Sequence, residues 1–371
     1  MTLESLSRKL EEAEKRFGLH ITAMMIGLLL LASASVYVTP ALHTINHGVN
    51  YQKLSSAPLD FASGNPLQLR ILTPLLAHVL LFRGNRYIFF PLLMGLLFMA
   101  AVYLHFRKED SAAESLGATA LMAFSTPVLF TLHFQGYTDT TSYLLLWLCL
   151  TMRNLPLQAS LFSLALLNHE SNAFALPFLL YRPWEENFSL RKMLVHAIPY
   201  CIAFVPFLLY HRFVISQANV VYSPDFYLNK ERIIVSIRSI FRLMPIGIFE
   251  AFRLFWLIPL YAAYLTFRKK QYGSTAWLIL VILCSASQLL LATDTSRLLG
   301  LAFPAILLGA KILKTELPPE LFAKGLFLLL LLNFFVPVYY VGQHHMIPFF
   351  PLPVSIILKL FGIDAWQLYW K

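Results

Sequence analysis

Charge is what this chain has least of. Asp, Glu, Lys and Arg make up 13% of its 371 residues and 58% are hydrophobic, where a soluble domain carries about 25% charged residues. With a mean hydropathy of +0.65, a water-covered globular surface is excluded and an integral membrane protein is expected. No polar stretch is long enough to build a soluble core, the longest being roughly thirty residues around 214–243. Cysteine is scarce as well. Cys149, Cys201 and Cys284 stand far apart in apolar runs, without CxxC or Cys/His spacing, so they read as small buried hydrophobes rather than a disulfide framework or a zinc site. Also missing are a Walker lysine loop, GxGxxG, GxSxG and HExxH, and nucleotide hydrolysis is not expected. Neither an internal repeat nor a low-complexity tract is found.

What is present is a series of apolar runs long enough to cross about 30 Å of hydrocarbon. They lie near 21–40, 87–106, 116–133, 193–213, 244–266, 274–291, 298–313 and 322–341, with shorter stretches at 67–82, 141–152, 157–168, 172–181 and 352–361. The expected fold class is therefore all-α: one membrane domain over 1–371, a polytopic transmembrane bundle of about ten to twelve membrane helices, short and re-entrant ones included. The first run is expected to be a retained helix rather than a cleaved signal, since it spans about twenty residues and lacks a small-residue cleavage site.

The net charge of +10 does not point to nucleic acid, because the basic residues flank apolar spans, where they match phospholipid headgroups and topology signals. Basic clusters at RKED 107, MRN 152, RPWEENFSLRK 182, RKKQYG 268 and KILK 311 all become cytoplasmic in one threading. In it, residues 1–20 form a cytoplasmic amphipathic segment, 41–86 a first outer loop with an interfacial helix at 67–82, and 214–243 a second large outer loop. A bacterial inner membrane with the N-terminus cytoplasmic is the expected location.

The isolated acids and bases then collect on the outer side. Asp60 and Arg70 fall in the first outer loop, Asp139 in "QGYTDTTSY", His169 and Glu170 in "LLNHESNAFALP", and Asp294 and Arg297 in "LATDTSRLLGLAFP". Glu250 and Arg253 sit about a third of the way into their span. Ionisable groups at such a boundary face a bundle interior or a water-filled cavity. Blander readings stand beside this one. Asp294 and Arg297 at i+3 suit a local ion pair, Glu250 and Arg253 at i+3 read first as self-neutralising, and Asp139 suits an N-cap of the helix from 141. For Glu170 a cap is the weaker reading, because Asn168 and Ser171 offer uncharged caps. His43 and His47 have the i, i+4 spacing of a metal pair but read first as an outer-loop helix surface.

Carboxylates and guanidiniums at a hydrocarbon boundary suit a substrate that is half lipid and half anionic headgroup, such as a lipid-linked sugar phosphate. A carboxylate takes the proton of an acceptor hydroxyl, and arginines hold the phosphate bidentately as it leaves. In "LDFASGNPLQLRILTPLLA", the short paired helices around "GYTDTTSYLLLWL" and "LLNHESNAFALPFLL", and "DTSRLLGLAFP", the chain resembles the GT-C class of integral membrane glycosyltransferases. That resemblance implies a GT-C-like fold, a polyprenyl-phosphate-linked sugar donor, a glycan, lipid or protein acceptor on the extracytoplasmic face, and an acidic catalytic residue in the first outer loop, by position Asp60. Many members have paired acids there where this chain has one, which raises Asp139, Glu170 and His169 as further catalytic candidates. Arg70, Arg297, Asp294 and Arg253 are the candidates for substrate and lipid-phosphate binding. No cofactor is expected, and a divalent metal is compatible with the acids.

Two rivals share these residues. A transporter or flippase of lipid-linked or anionic solutes would use them as a proton relay. A polysaccharide polymerase or ligase would rely on outer-loop arginines, with Arg232, Arg238 and Arg242 available. A non-catalytic assembly protein would tolerate replacement of the acids.

Overall fold

The computed structural model describes residues 3–38, 43–181, 189–217, 229–231, 233–234, 241, 243–342 and 345–363. Most of the 214–243 loop, with Arg232, Arg238 and Arg242, lies outside the described residues, as does the C-terminal WQLYWK.

The chain folds as a polytopic helical bundle of an integral membrane protein. Six helices are long and apolar enough to cross a membrane, at 19–38, 84–106, 191–217, 244–268, 272–290 and 295–316. There is a seventh if α6 (Ala112–Ala123) and α7 (Thr126–His133), bent by 59° at their junction, form one span. The bend has a local cause: Ser125 and Thr126 lead into Pro127, which cannot continue the preceding hydrogen-bond ladder. Ahead of them, α1 (Leu3–Phe17) ends where Gly18 adopts φ +85° and donates its N–H to Glu14 O at 2.9 Å. Glycine alone takes that left-handed turn without Cβ strain, so α2 (Leu19–Val38) starts at once.

The first outer-loop segment is more broken than an interfacial helix over 67–82 would be. It holds α3 (His47–Ser56), a 3-10 turn at Phe61–Ser63, and α4 (Leu72–Val79), whose eight residues reach only about 12 Å. Next come α5 (Phe89–Phe106), packed against α2 and α8 (Asp139–Thr151), then α9 (Leu155–Asn168), a 3-10 turn at Glu170–Ala175, and the five-residue α10 (Leu176–Leu180). Beyond them runs α11 (Leu190–Gln217). At the middle of the bundle Trp147, Phe98, Phe303 and Tyr143 interlock at centroid distances of 5.3–6.2 Å.

One expectation fails. Residues 322–341 were to form a single span, but the helix covers Pro319–Phe335 and is followed by strands β1 (Val338–Gly342) and β2 (His345–Phe349), a short hairpin in an otherwise helical bundle. Pro337 blocks helix continuation, and the β-branched and aromatic run Val338–Val341 suits a strand. The strands pair antiparallel, with Val338 opposite Phe349. The outer edge of β1 is buried, and side chains satisfy it: Tyr339 N–H donates to Glu250 (3.0 Å) and Val341 N–H to Ser296 Oγ (3.0 Å).

Charged groups gather at two ends. At one, Arg107 pairs with Glu14 (2.9 Å), Lys314 with Asp110 (2.6 Å) and Glu114 (2.9 Å), Lys311 with Glu109 (2.7 Å), and Lys269 with Glu316. The other end holds Arg70, Asp139, Glu170, Asp294 and Arg297. From Arg297 to Lys314 the chain is helical throughout, about 26 Å at 1.5 Å per residue. The two ends are thus roughly one hydrocarbon thickness apart.

Candidate functional site

Below the second end lies a buried polar network that fixes three backbones to one another. Thr73 Oγ1 donates from the first turn of α4 and lies 2.9 Å from Thr141 Oγ1, with Asn168 Oδ1 as its second partner. Asn168 in turn donates to Thr138 O (2.9 Å) and Ser142 Oγ (2.8 Å), and Asn172 to Ser142 Oγ (2.9 Å) and Ala165 O (2.7 Å). All of these side chains are buried. Such a network, with its amides and hydroxyls paired in low dielectric, holds α4, α8 and the end of α9 in one register. The charged residues are its immediate neighbours in sequence: Arg70 precedes Thr73, Asp139 follows Thr138, and His169 and Glu170 lie between Asn168 and Asn172.

Two ion clusters stand on this frame. In the first, Arg70 makes a two-pronged contact with Glu170, its Nε donating to Oε2 at 2.9 Å and its Nη2 to Oε1. Burial alone would raise the Glu170 carboxyl, but Arg70 overrides it and holds the group well below the usual carboxylate range. His169 places Nδ1 3.7 Å from Glu170 and accepts the Ser171 N–H at 3.2 Å. Burial, helped by Arg70, keeps its imidazole neutral. In the second cluster Arg297 is surrounded. Its Nε donates to both oxygens of Asp139 (3.0 and 3.1 Å) and its Nη1 to Asp294 (3.2 Å), while Tyr340 OH donates to the other Asp294 oxygen at 2.6 Å. The rings of Tyr137 (4.7 Å) and Phe130 (5.5 Å) lie under the guanidinium. Its Nη2 is buried and meets no acceptor among the described residues.

His47 joins the two clusters. Burial, then Arg297 and Arg70, push its imidazole down to about 4, with Asp294 and Asp139 pulling the other way. It stands beside Tyr137, whose ring lies 4.7 Å from the Arg297 guanidinium. A close glycine contact puts it there: a Cβ on Gly48 would fall 2.3 Å from Gln135 O, and Gly136 turns at φ +96° against Gly48. That approach also seats Tyr137, whose ring is 5.9 Å from His47.

No family model, curated protein or solved structure matches this chain. The site must therefore be read from its own chemistry. Two guanidiniums face three carboxylates, leaving one net negative charge while the histidines are neutral. Each arginine is already paired, so an incoming anion must share or displace a carboxylate. Among the described residues no three His, Cys, Asp or Glu side chains converge as a metal cage.

The structure thus brings together Arg70, Glu170 and His169, and separately Asp139, Asp294 and Arg297. The local Asp294–Arg297 pair exists, but Asp139, 158 residues from Arg297, completes it. Helix α8 begins at Asp139, and that side chain turns to Arg297 rather than capping. Asp60 stands apart: it is exposed, accepts Ala62 N–H (3.2 Å), and has no ion pair among the described residues. Gln68 nevertheless ties its turn beside the Arg70 segment by donating to Pro58 O at 2.6 Å. Arg253 belongs to another assembly. Fully buried, it donates to the carbonyls of Asn333 (2.9 Å), Val336 (3.1 Å) and Phe124, and to Tyr37 OH (3.3 Å), closing the C-terminal ends of helices. Glu250 turns to Tyr339 N–H, so these two residues are not the mutually neutralising pair their spacing suggests.

Sequence reasoning set His47 aside as an outer-loop helix surface and passed over Tyr137 and Tyr340. The signal available for the first two was the pair of glycines beside them in "INHGVN" and "FQGYTD", which mark close backbone approach. Tyr340 carried none, because the hairpin that aims it was read as helix.

Proposed function

We propose that this chain is a membrane glycosyltransferase that moves a sugar from a polyprenyl-phosphate donor to an extracytoplasmic acceptor. The observation that carries the reading is the pair of arginines, Arg70 and Arg297, held by separate carboxylates on a rigid polar frame around His47. Prepaired guanidiniums are pre-organised, and the unused N–H of Arg297 is a ready donor to a phosphate oxygen. In this scheme the acceptor hydroxyl attacks the anomeric carbon. The bond from that carbon to the phosphate oxygen breaks, the lipid phosphate leaves with the electron pair onto Arg70 and Arg297, and a carboxylate takes the hydroxyl proton.

Asp60 suits the last role. Glu170 is held low by Arg70 and is a weak base, and both oxygens of Asp139 are engaged by Arg297. Asp60 has no such partner and sits on a turn tied to the Arg70 segment. Glu170, Asp139 and Asp294 then position the arginines, His169 and His47 line the site as neutral imidazoles, and Arg253 acts as a structural residue. The bacterial inner membrane, a cytoplasmic N-terminus and an outward-facing site belong to the same proposal, supported by the basic turns gathered at the opposite end.

A transporter or flippase of lipid-linked or anionic solutes is the second reading, favoured by two broken spans. One breaks between α6 and α7, the other at Arg253, whose φ is +50°, and Arg253 bridges them by donating to Phe124 O. The deciding experiment reconstitutes the full chain in liposomes with a labelled lipid-linked sugar and follows both product glycan and solute flux. D60N should lower transfer by about 10²–10⁴-fold, the contribution of a general base, with donor binding retained. Full transfer by D60N overturns Asp60 as the base, and Arg70-dependent flux without cleavage of the sugar–phosphate bond overturns the transferase.

A further inference from the structure

A second binding site lies at the end of the bundle opposite the ion clusters. A cavity of about 1040 Å³ opens among the ends of α5, α8, α9 and α11 and the helices at 272–287 and 303–316. That is at the upper end of the roughly 300–1,000 Å³ typical of ligand pockets. Its walls are of two kinds. Trp147, Leu150, Trp277 and Leu308 make an apolar side, while Lys108, Arg153, Lys192 and Lys311 bring four cations to a lining whose one carboxylate among the described residues is that of Glu109. Lys311 takes that carboxylate at 2.7 Å. Lys108 and Arg153 are exposed and have no ion pair among the described residues.

Two further polar atoms point to a ligand. Trp147 is fully buried and lines the cavity, and its indole N–H meets no acceptor among the described residues; Nδ1 of the half-buried His105, also on the lining, meets no partner among them either. An indole nitrogen can only donate, and leaving it unmet in a native interior has a cost that a bound oxygen removes. A lipid has a way in, because α11, which contributes Lys192 and His196, turns most of its surface outward. Only 17% of its span is buried, and Leu194, Val195 and Ile198 are exposed beside the cavity residues.

We propose that this cavity binds an anionic phospholipid of the adjoining leaflet, its phosphate between Lys108, Arg153 and Lys311 and its upper chain against Trp147 and Leu308. Charge complementarity and the apolar wall select that occupant over a free anion, which has no use for the wall, and over a neutral lipid, which has no use for the exposed Lys108 and Arg153. The assignment is independent of the reaction carried out at the opposite end.

The test is lipid binding to the full-length chain in neutral detergent by native mass spectrometry, with phosphatidylglycerol and phosphatidylcholine in competition. Wild type should retain phosphatidylglycerol preferentially. Each cation near such a headgroup is worth about fivefold, so K108A/R153A should bind it about 25-fold more weakly and phosphatidylcholine as before. Both residues are exposed, so folding is spared; a monodisperse profile checks this, and the single variants should each lose about fivefold. K9A, which removes an exposed lysine of α1 outside the cavity, should change nothing, and W147F should weaken the lipid by removing the indole N–H. Equal retention of the two lipids, unchanged binding by K108A/R153A, an equal loss in K9A, or displacement by inorganic phosphate at matched concentration would overturn the assignment.

Discussion

Neutralising either carboxylate on Arg297 should be mild, and neutralising both should be severe. Arg297 carries one positive charge against Asp139 and Asp294, so the trio holds a net negative charge in a place where the guanidinium is 5% exposed. D139N removes one charge-assisted contact, worth about 1.5–3 kcal/mol, but also relieves repulsion between the two acids and leaves a neutral pair. The expected net loss is about 1–2 kcal/mol, and D294N, whose site is wetter and whose amide oxygen can still accept from Tyr340, should cost no more. The double variant is different in kind. It leaves a buried guanidinium without a counter-ion, a situation that costs about 3–5 kcal/mol with its broken contacts included. An expected total of about 5 kcal/mol exceeds the two singles together, about 3 kcal/mol, by about 2 kcal/mol. Reversible unfolding of the full chain in mixed detergent micelles measures all three changes. Additivity within about 0.5 kcal/mol, the behaviour of independent sites, would refute the shared-counter-ion account.

His47 gives a pH signature. Its folded value of about 4 lies below the ordinary 6.5, so the unfolded chain binds the extra proton. His47's share of stability should be at its full value above about pH 6.5 and fall by about 2–3 kcal/mol as pH drops toward 4; H47N should reduce the slope by that share in a melting series, the rest coming from His169, which is also held neutral. R253M should lower the melting temperature by several degrees, because it strips donors from three helix-end carbonyls; R253K should rescue it only in part, since an ammonium lacks the guanidinium fork. N168L should cost about 1–3 kcal/mol, because Thr73, Ser142 and the Thr138 carbonyl each lose one of their partners. Under the proposed transferase function it should also lower glycan output, although it touches no charged group.

Much of the fold was legible because hydrocarbon imposes simple terms on a chain. Length and hydropathy marked each of the six spans, while Pro337 and the Val338–Val341 run, which end the last helix, fell inside a stretch whose hydropathy alone looked like a span. For the site, sequence picked out Arg70, Glu170, Asp139 and Arg297 as costly residues near lipid. It could not pair them, since the partners are 100 and 158 residues apart. Spacing misled at Glu250 and Arg253, because a break in the helix at Arg253 turns the guanidinium toward three carbonyls.

By itself, then, the sequence determined that this is a membrane bundle, where its spans lie, and which residues were too polar to sit there without a reason. Composition and hydropathy are local sums, and the bilayer reads them locally. Only the tertiary structure decided which acid holds which arginine, that His47 stands beside Tyr137, and that Arg253 closes helix ends. Those outcomes depend on side chains meeting across hundreds of residues, in positions set by a glycine contact, a buried amide network and a strand edge that pattern alone does not encode.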